Sequence, residues 1–336
     1  TGAPGNARPS GAQKAPMSDR DTSTDDRRTR KRDRPKRSLT KSLARIVLLL
    51  AVFLVIVKVG GCADRLFFYP IRGDYAAHPQ ADEVWFENEG RELHGWWFPA
   101  RDPDDLSERA VTPAPTIVFC HGNAFNIKRH TAFMDWLPAQ GFNVFLFDYR
   151  SYGMSDKGPL HRDGLIHDAE AAIDYVFSRD DIDPDRVGLY GMSLGGTIGI
   201  AAAAEDDRIA ATCSLATFST WESVAGDFVP VLGPWLISDG RNAVDSVAAL
   251  RDRPLLLIHG TDDRIVSYRH APLIRDAAQA AGVDVELLTI EGAGHIGWVQ
   301  THPEMRDAIG AFFDRTIGAG AMPDDEADAH TSNADG

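Results

Sequence analysis

Three cysteines in 336 residues are too few for a disulfide framework, and no CxxC, HExxH or paired Cys/His spacing offers a metal site. No metal and no cofactor is therefore expected. Cys120 and Cys213 fall within short apolar runs, where a free thiol behaves as a small hydrophobe. Positive charge is also scarce over most of the chain. Of the 35 Lys and Arg residues, 13 precede residue 46, beside only 5 of the 49 acidic residues, so a basic arm of +8 leads into an acidic body of −22. Phosphate recognition needs a clustered positive field, so nucleic acid is excluded as a partner of the body. With 43% hydrophobic and 25% charged residues and no internal repeat, the body reads as one ordinary globular domain.

Residues 1–41, the basic arm, contain almost no large apolar side chain and are expected to be disordered, as is the small, acidic tail at 318–336. Residues 42–63 hold an unbroken apolar run at 46–57, followed by Lys58, Val59, Gly60, Gly61, Cys62 and Ala63. Two readings stay open. One is an uncleaved anchor helix with Lys58 snorkelling toward a headgroup. The other is a cleaved signal, in which Val59, Gly60, Gly61 and Cys62 resemble the lipobox of bacterial lipoproteins, with Cys62 lipidated, although Lys58 interrupts the apolar run. Either one tethers the body to a membrane, and the Arg/Lys density ahead of the run puts the arm in the cytoplasm and the body on the far side. Residues 64–83 form a juxtamembrane segment whose Leu66, Phe67, Phe68 and Tyr69 suit either the membrane interface or packing on the domain.

From 84 to 317 two hydrophobic periods alternate, the pattern of an α/β layer fold. Residues 84–87 and 93–98 read as a first strand pair; 116–120, 144–147, 187–190, 210–215, 255–259 and 285–290 are short apolar runs of the buried parallel type. Stretches at 167–177, 194–204, 271–281 and 303–316 carry apolar residues at helical spacing. The expected fold is a mostly parallel eight-stranded sheet with helices on both faces.

Gly191, Met192, Ser193, Leu194 and Gly195 form G-x-S-x-G, followed by Gly196. The motif lies between an expected strand and an Ala-rich helix, a sharp turn that lifts the serine hydroxyl above the sheet edge at a helix N-terminus. A hydroxyl needs a base and an acid to become nucleophilic. Asp262 and Asp263 follow the strand at 255–259, and His295 follows the strand at 285–290, both on the side where parallel sheets carry their sites. His121 and His259 read as turn-forming rings bonded to backbone, Asp148 and Arg150 as an ion pair bracing a loop, and the other histidines as surface or packing residues.

Five ordered motifs resemble those of the α/β-hydrolases: Phe119 to Ala124 (FCHGNA), Phe147 to Gly153 (FDYRSYG), Gly191 to Gly196 (GMSLGG), His259 to Val266 (HGTDDRIV) and Gly292 to His295 (GAGH). The chain is most similar to membrane-anchored, small-lid serine hydrolases of the bud-emergence (Bem) type, near the serine aminopeptidase-like branch. That resemblance implies a catalytic Ser193, Asp263 and His295, with Asp263 at the acid position of H-G-x-x-D-x-x-V, and an oxyanion hole from the Asn123 and Leu194 backbone N–H groups. Ser151 departs from the glycine usual in that loop, and no large cap or propeller domain is present. Residues 217–252 are long for one crossover, and Trp221, Phe228 and Trp235 there suit either a short apolar lid or a helix pair on the sheet edge.

The function expected is a membrane-tethered serine hydrolase cleaving carboxylic esters or thioesters through an acyl-enzyme on Ser193. Its partners would be a small acyl-bearing substrate, apolar or lipid in character, and the membrane. A serine peptidase is the alternative within the class; a tethered, non-catalytic binding module is the alternative outside it.

Overall fold

The computed structural model describes residues 39–60, 67–110, 113–237, 240–296 and 302–318. The basic arm before residue 39, Cys62 and the tail after residue 318 lie outside them. The chain divides into two units within its first helix, Thr1–Leu49 and Leu50–Gly336. That helix, α1 (Leu39–Val59), is the one described helix long and apolar enough by length and composition to cross a membrane. Its 21 residues rise about 31 Å, close to a bilayer's hydrocarbon thickness.

The second unit continues with β1 (Tyr69–Pro70), β2 (Asp82–Asn88), β3 (Arg91–Phe98), β4 (Ala114–Cys120), β5 (Ala124–Phe125), α2 (Ile127–His130), β6 (Asn143–Phe147) and α3 (Arg162–Phe177). After these come β7 (Ile182–Met192), α4 (Leu194–Glu205), β8 (Ala211–Leu215), α5 (Trp221–Phe228), α6 (Leu232–Leu236), α7 (Ala243–Ser246), β9 (Leu255–Gly260), α8 (His270–Ala280), β10 (Val285–Ile290) and α9 (Pro303–Ile317). Eight strands form one sheet in the order β10-β9-β8-β7-β4-β6-β3-β2, antiparallel only at β2/β3 and β3/β6. The mostly parallel sheet expected from the apolar runs is present.

Strands β4, β6 and β8 are buried at every residue; β4 and β6 accordingly read as nearly continuous apolar runs, while β8 carries buried Thr212 and Ser214 between Ala211, Cys213 and Leu215. Leu165 and Ile173 of α3, Ile198 of α4 and Ile274 of α8 pack on one face; Met305, Ile309, Phe312 and Phe313 of α9 pack on the other with Leu137 and Phe142. Helix α4 is buried along nearly its whole length, so its small Gly and Ala residues are a packing requirement. Cys120 and Cys213 are buried free thiols in β4 and β8, and burial pushes Cys120 up to about 12, which leaves it inert.

The structure corrects the expected Asp148–Arg150 ion pair. Arg150 is buried and pairs instead with Asp168 of α3, donating from Nη2 at 2.8 Å and Nε at 2.9 Å, while its Nη1 reaches Glu89 at 3.1 Å. Asp148 accepts from the Ile127 N–H at 3.0 Å and from the Tyr75 hydroxyl. Two residues apart on a strand exit, these side chains diverge. Arg150→Met strands the fully buried Asp168 carboxylate and should cost about 3–5 kcal/mol in a urea denaturation series.

Candidate active site

Ser193 sits at the turn from β7 into α4 with φ +54° and ψ −117°, a backbone geometry that non-glycine residues rarely hold. Neighbouring glycines make this turn sterically possible. A Cβ on Gly191 would lie 2.4 Å from the Gly195 carbonyl oxygen, one on Gly195 would lie 2.0 Å from the Cys120 oxygen, and one on Gly196 would strike Thr217 Oγ1. The elbow therefore touches the end of β4. That contact sets the start of α4 beside the loop after β4, where Asn123 lies. Leu194 opens α4, so its N–H has no acceptor within the helix.

The loops leaving β9 and β10 are laced together. Thr261 N–H donates to the Ile290 oxygen, Asp262 N–H to the Ala293 oxygen, and Gly292 N–H to Thr261 Oγ1. This lacing carries Asp263 and His295 toward Ser193. His295 Nε2 is 3.0 Å from Ser193 Oγ, and its Nδ1 is 2.6 Å from Asp263 Oδ2. The second carboxylate oxygen, Oδ1, accepts from the N–H groups of Ile265 and Val266 at 2.8 Å each. Asp262 is exposed and faces none of these groups.

Asp263 is buried, which opposes its charge, yet donation from His259, His295 and the Val266 N–H outweighs that cost and holds its carboxyl well below the usual range. His259 was not expected to reach it. Its Nε2 is 2.9 Å from the Val266 oxygen, the backbone contact expected, and also 3.2 Å from Asp263 Oδ2. The only sequence signal for that second contact is the i,i+4 spacing. His121 bonds through Nδ1 to its neighbour's carbonyl, Gly122 O, at 2.7 Å, and burial keeps its ring well below the ordinary histidine range.

In the crossover at 217–252 the described residues include the short helices α5, α6 and α7, and α5 and α6 pack closely enough that a Cβ on Gly233 would meet the Ala225 oxygen at 2.4 Å. Trp221 is a core residue, 1% exposed, with its indole N–H donating to the Arg241 oxygen. Phe228 and Trp235 remain exposed at the outer ends of α5 and α6. His270 is also buried, braced by Ser219 Oγ at 2.8 Å and Asp227 Oδ2 at 3.1 Å, and so ties α8 to α5.

The strand order, the elbow and the parallel-sheet edge that carries these side chains define an α/β-hydrolase. The model of the prolyl oligopeptidase family (Peptidase_S9) matches residues 132–320, more than half of the chain, and the chain belongs to that family. It is 33% identical over 238 residues to the uncharacterised protein YfhR of Escherichia coli O157:H7, covering 70% of this chain and 81% of that protein. It is 30% identical over 217 residues to the α/β hydrolase domain-containing protein WAV2 of Arabidopsis thaliana, covering 59% and 67% respectively. Among solved structures, the Pyrococcus furiosus esterase Pf2001 superposes with a TM-score of 0.61 at 20% identity over 75% of this chain and 99% of its own. The Pyrococcus horikoshii acylaminoacyl peptidase gives 0.58 at 17% identity over 71% of this chain and 42% of its own. Family and neighbours support a serine hydrolase.

Proposed function

We propose that the protein is a membrane-tethered serine hydrolase that cleaves carboxylic esters or thioesters through an acyl-enzyme on Ser193. The observation that carries this reading is the continuous series from Ser193 Oγ through His295 to a buried, ionised Asp263. In it Ser193 Oγ attacks the acyl carbonyl as His295 Nε2 takes the hydroxyl proton, and Asp263 holds the ring and stabilises the imidazolium. The tetrahedral oxyanion accepts from the N–H groups of Asn123 and Leu194. His295 then protonates the leaving alcohol or thiol, and a water deprotonated by the same ring releases the acid.

The family assignment favours a second reading, a serine peptidase of the aminopeptidase-like kind. Two observations favour the ester reading over it. The esterase neighbour is matched over nearly its whole length, whereas 58% of the acylaminoacyl peptidase lies outside its match with this chain. Exposed Phe228 and Trp235 on α5 and α6 also suit an acyl chain better than a peptide backbone. A fluorophosphonate probe, which reacts only with an activated serine, tests the class: Ser193 should be labelled, and folded protein that is not labelled refutes it. Short-chain acyl esters assayed beside aminoacyl amides separate the two readings.

The Bem-type resemblance and the length of α1 support the tether, with the basic arm in the cytoplasm and the catalytic unit beyond the membrane. Deleting residues 1–63 should move activity from the pellet to the supernatant after high-speed centrifugation without detergent. Full-length protein found in that supernatant would refute both the anchor and the Cys62 lipoprotein version; under the second the mass of the membrane-bound protein shows the loss of residues 1–61 and the added acyl chains, whereas under the first the arm persists and Cys62→Ser leaves retention unchanged.

A further inference from the structure

The segment that follows α1 and precedes the sheet is built into the loop that carries the proposed oxyanion donor. Asn123 engages both its amide nitrogen and its amide oxygen with this segment and one neighbour. Its Nδ2 donates to the Phe67 oxygen, and its Oδ1 accepts from the Tyr69 N–H at 3.1 Å and from the Tyr152 hydroxyl at 2.9 Å. An amide side chain is isosteric with a peptide group, so Asn123 prolongs by one step the pairing of β1 with β5, in which Tyr69 pairs with Ala124 and Pro70 with Phe125. Beyond that pair, Ile71 N–H donates to the Phe125 oxygen at 3.2 Å, and the Ile71 oxygen accepts from the Gly153 N–H at 3.1 Å.

The ends of the segment are pinned as well. Phe68 is buried and meets Trp221 edge-on at 6.1 Å between centroids, and Arg72 Nη1 donates to the Ser155 oxygen at 2.7 Å. Phe125, in the middle of the loop, holds φ +71°, a left-handed conformation that costs a phenylalanine on the order of 1–3 kcal/mol and needs outside support. No sheet strand on the loop's outer side supplies that support among the described residues except β1.

We infer that residues 67–72 are a positioning strap, whose clasp on the Asn123 amide aims the Asn123 backbone N–H at the oxyanion. The inference rests on the hydrolase reading above. Oxyanion donors act on charge that exists only in the transition state, so loosening one lowers kcat and spares substrate binding. The strap thus couples catalysis to the chain segment that joins the catalytic unit to α1, without itself touching substrate.

Two full-chain variants test it. Asn123→Ala removes all three clasp bonds. Tyr69→Pro removes only the strap's N–H and leaves the loop's own sequence intact, with an exposed side chain lost. Each is assayed on p-nitrophenyl acetate and on binding of a trifluoromethyl ketone, whose hemiketal oxyanion occupies the hole. Complete loss of one oxyanion donor costs about 10²–10³ in rate, so a misaimed one should cost about 10- to 100-fold in kcat for Asn123→Ala and less for Tyr69→Pro. KM should stay within about threefold, and ketone affinity should fall by the same factor as kcat. Unchanged kcat and ketone affinity in both variants would overturn the strap, and so would a rise in KM at constant kcat. The wild type is labelled with fluorophosphonate in parallel: labelling at Ser193 with unchanged variants sinks the strap alone, whereas no labelling of the wild type sinks the hydrolase reading and the strap with it.

Discussion

Ser193→Ala and His295→Ala should each lower kcat by about 10⁴- to 10⁶-fold, and the double variant should lose little more than either single one. Nucleophile and base form one device. Without His295 the hydroxyl of Ser193 keeps its proton, and without Ser193 the ring has no proton to take. What survives either loss is the contribution of the oxyanion donors and of binding, which neither substitution touches. Folding should be preserved. Ser193 presents a small side chain at the tip of a turn whose packing is made by Gly191, Gly195 and Gly196, and His295 retains some exposure. Circular dichroism and thermal melting of the variants, beside kinetics on an ester substrate, provide the check. A double variant whose loss is the product of the two single losses would mean that Ser193 and His295 work independently, and the proposed mechanism would fall.

Much of this architecture can be read without a structure because burial imprints itself on the sequence. Strands β4 and β6 lie between two helical layers, so both faces favour apolar side chains and the runs at 116–120 and 144–147 stand out, whereas β8 keeps buried Thr212 and Ser214 and reads less plainly at 210–215. The elbow is legible because its glycines answer to close approaches that no other residue survives. Other features leave no such mark. Strands β1 and β5 have two residues each, too short for any period, and their pairing joins positions 55 residues apart. Helix α3 begins at Arg162, five residues before its apolar periodicity is evident, because His161 caps it by accepting from the Gly164 N–H and because Arg162 is itself buried. Arg150 reaches across to Asp168 on another element, a choice made by three-dimensional packing, where proximity in sequence favoured Asp148.

Asp263→Asn should cost roughly 10⁴-fold in kcat with the fold nearly intact, whereas Asp262→Asn should change kcat by no more than a few-fold. The difference follows from what each carboxylate faces. Asp263 receives Nδ1 of His295 at 2.6 Å and Nε2 of His259 at 3.2 Å on Oδ2, and two backbone N–H groups on Oδ1. Its charge fixes the His295 ring with the proton on Nδ1, leaving Nε2 free to accept from Ser193. An asparagine at 263 keeps Oδ1 for the Ile265 and Val266 N–H groups, which preserves the turn. It then turns an NH₂ donor toward His295, which forces the proton onto Nε2, where it blocks the serine, and no negative charge remains to stabilise an imidazolium. Asp262 contributes its backbone N–H to the Ala293 oxygen, a bond that asparagine keeps, and its exposed side chain meets no group of the site. Steady-state kinetics of the two variants on one ester at saturating substrate decides the matter: the greater loss at position 262 would transfer the acid role to Asp262.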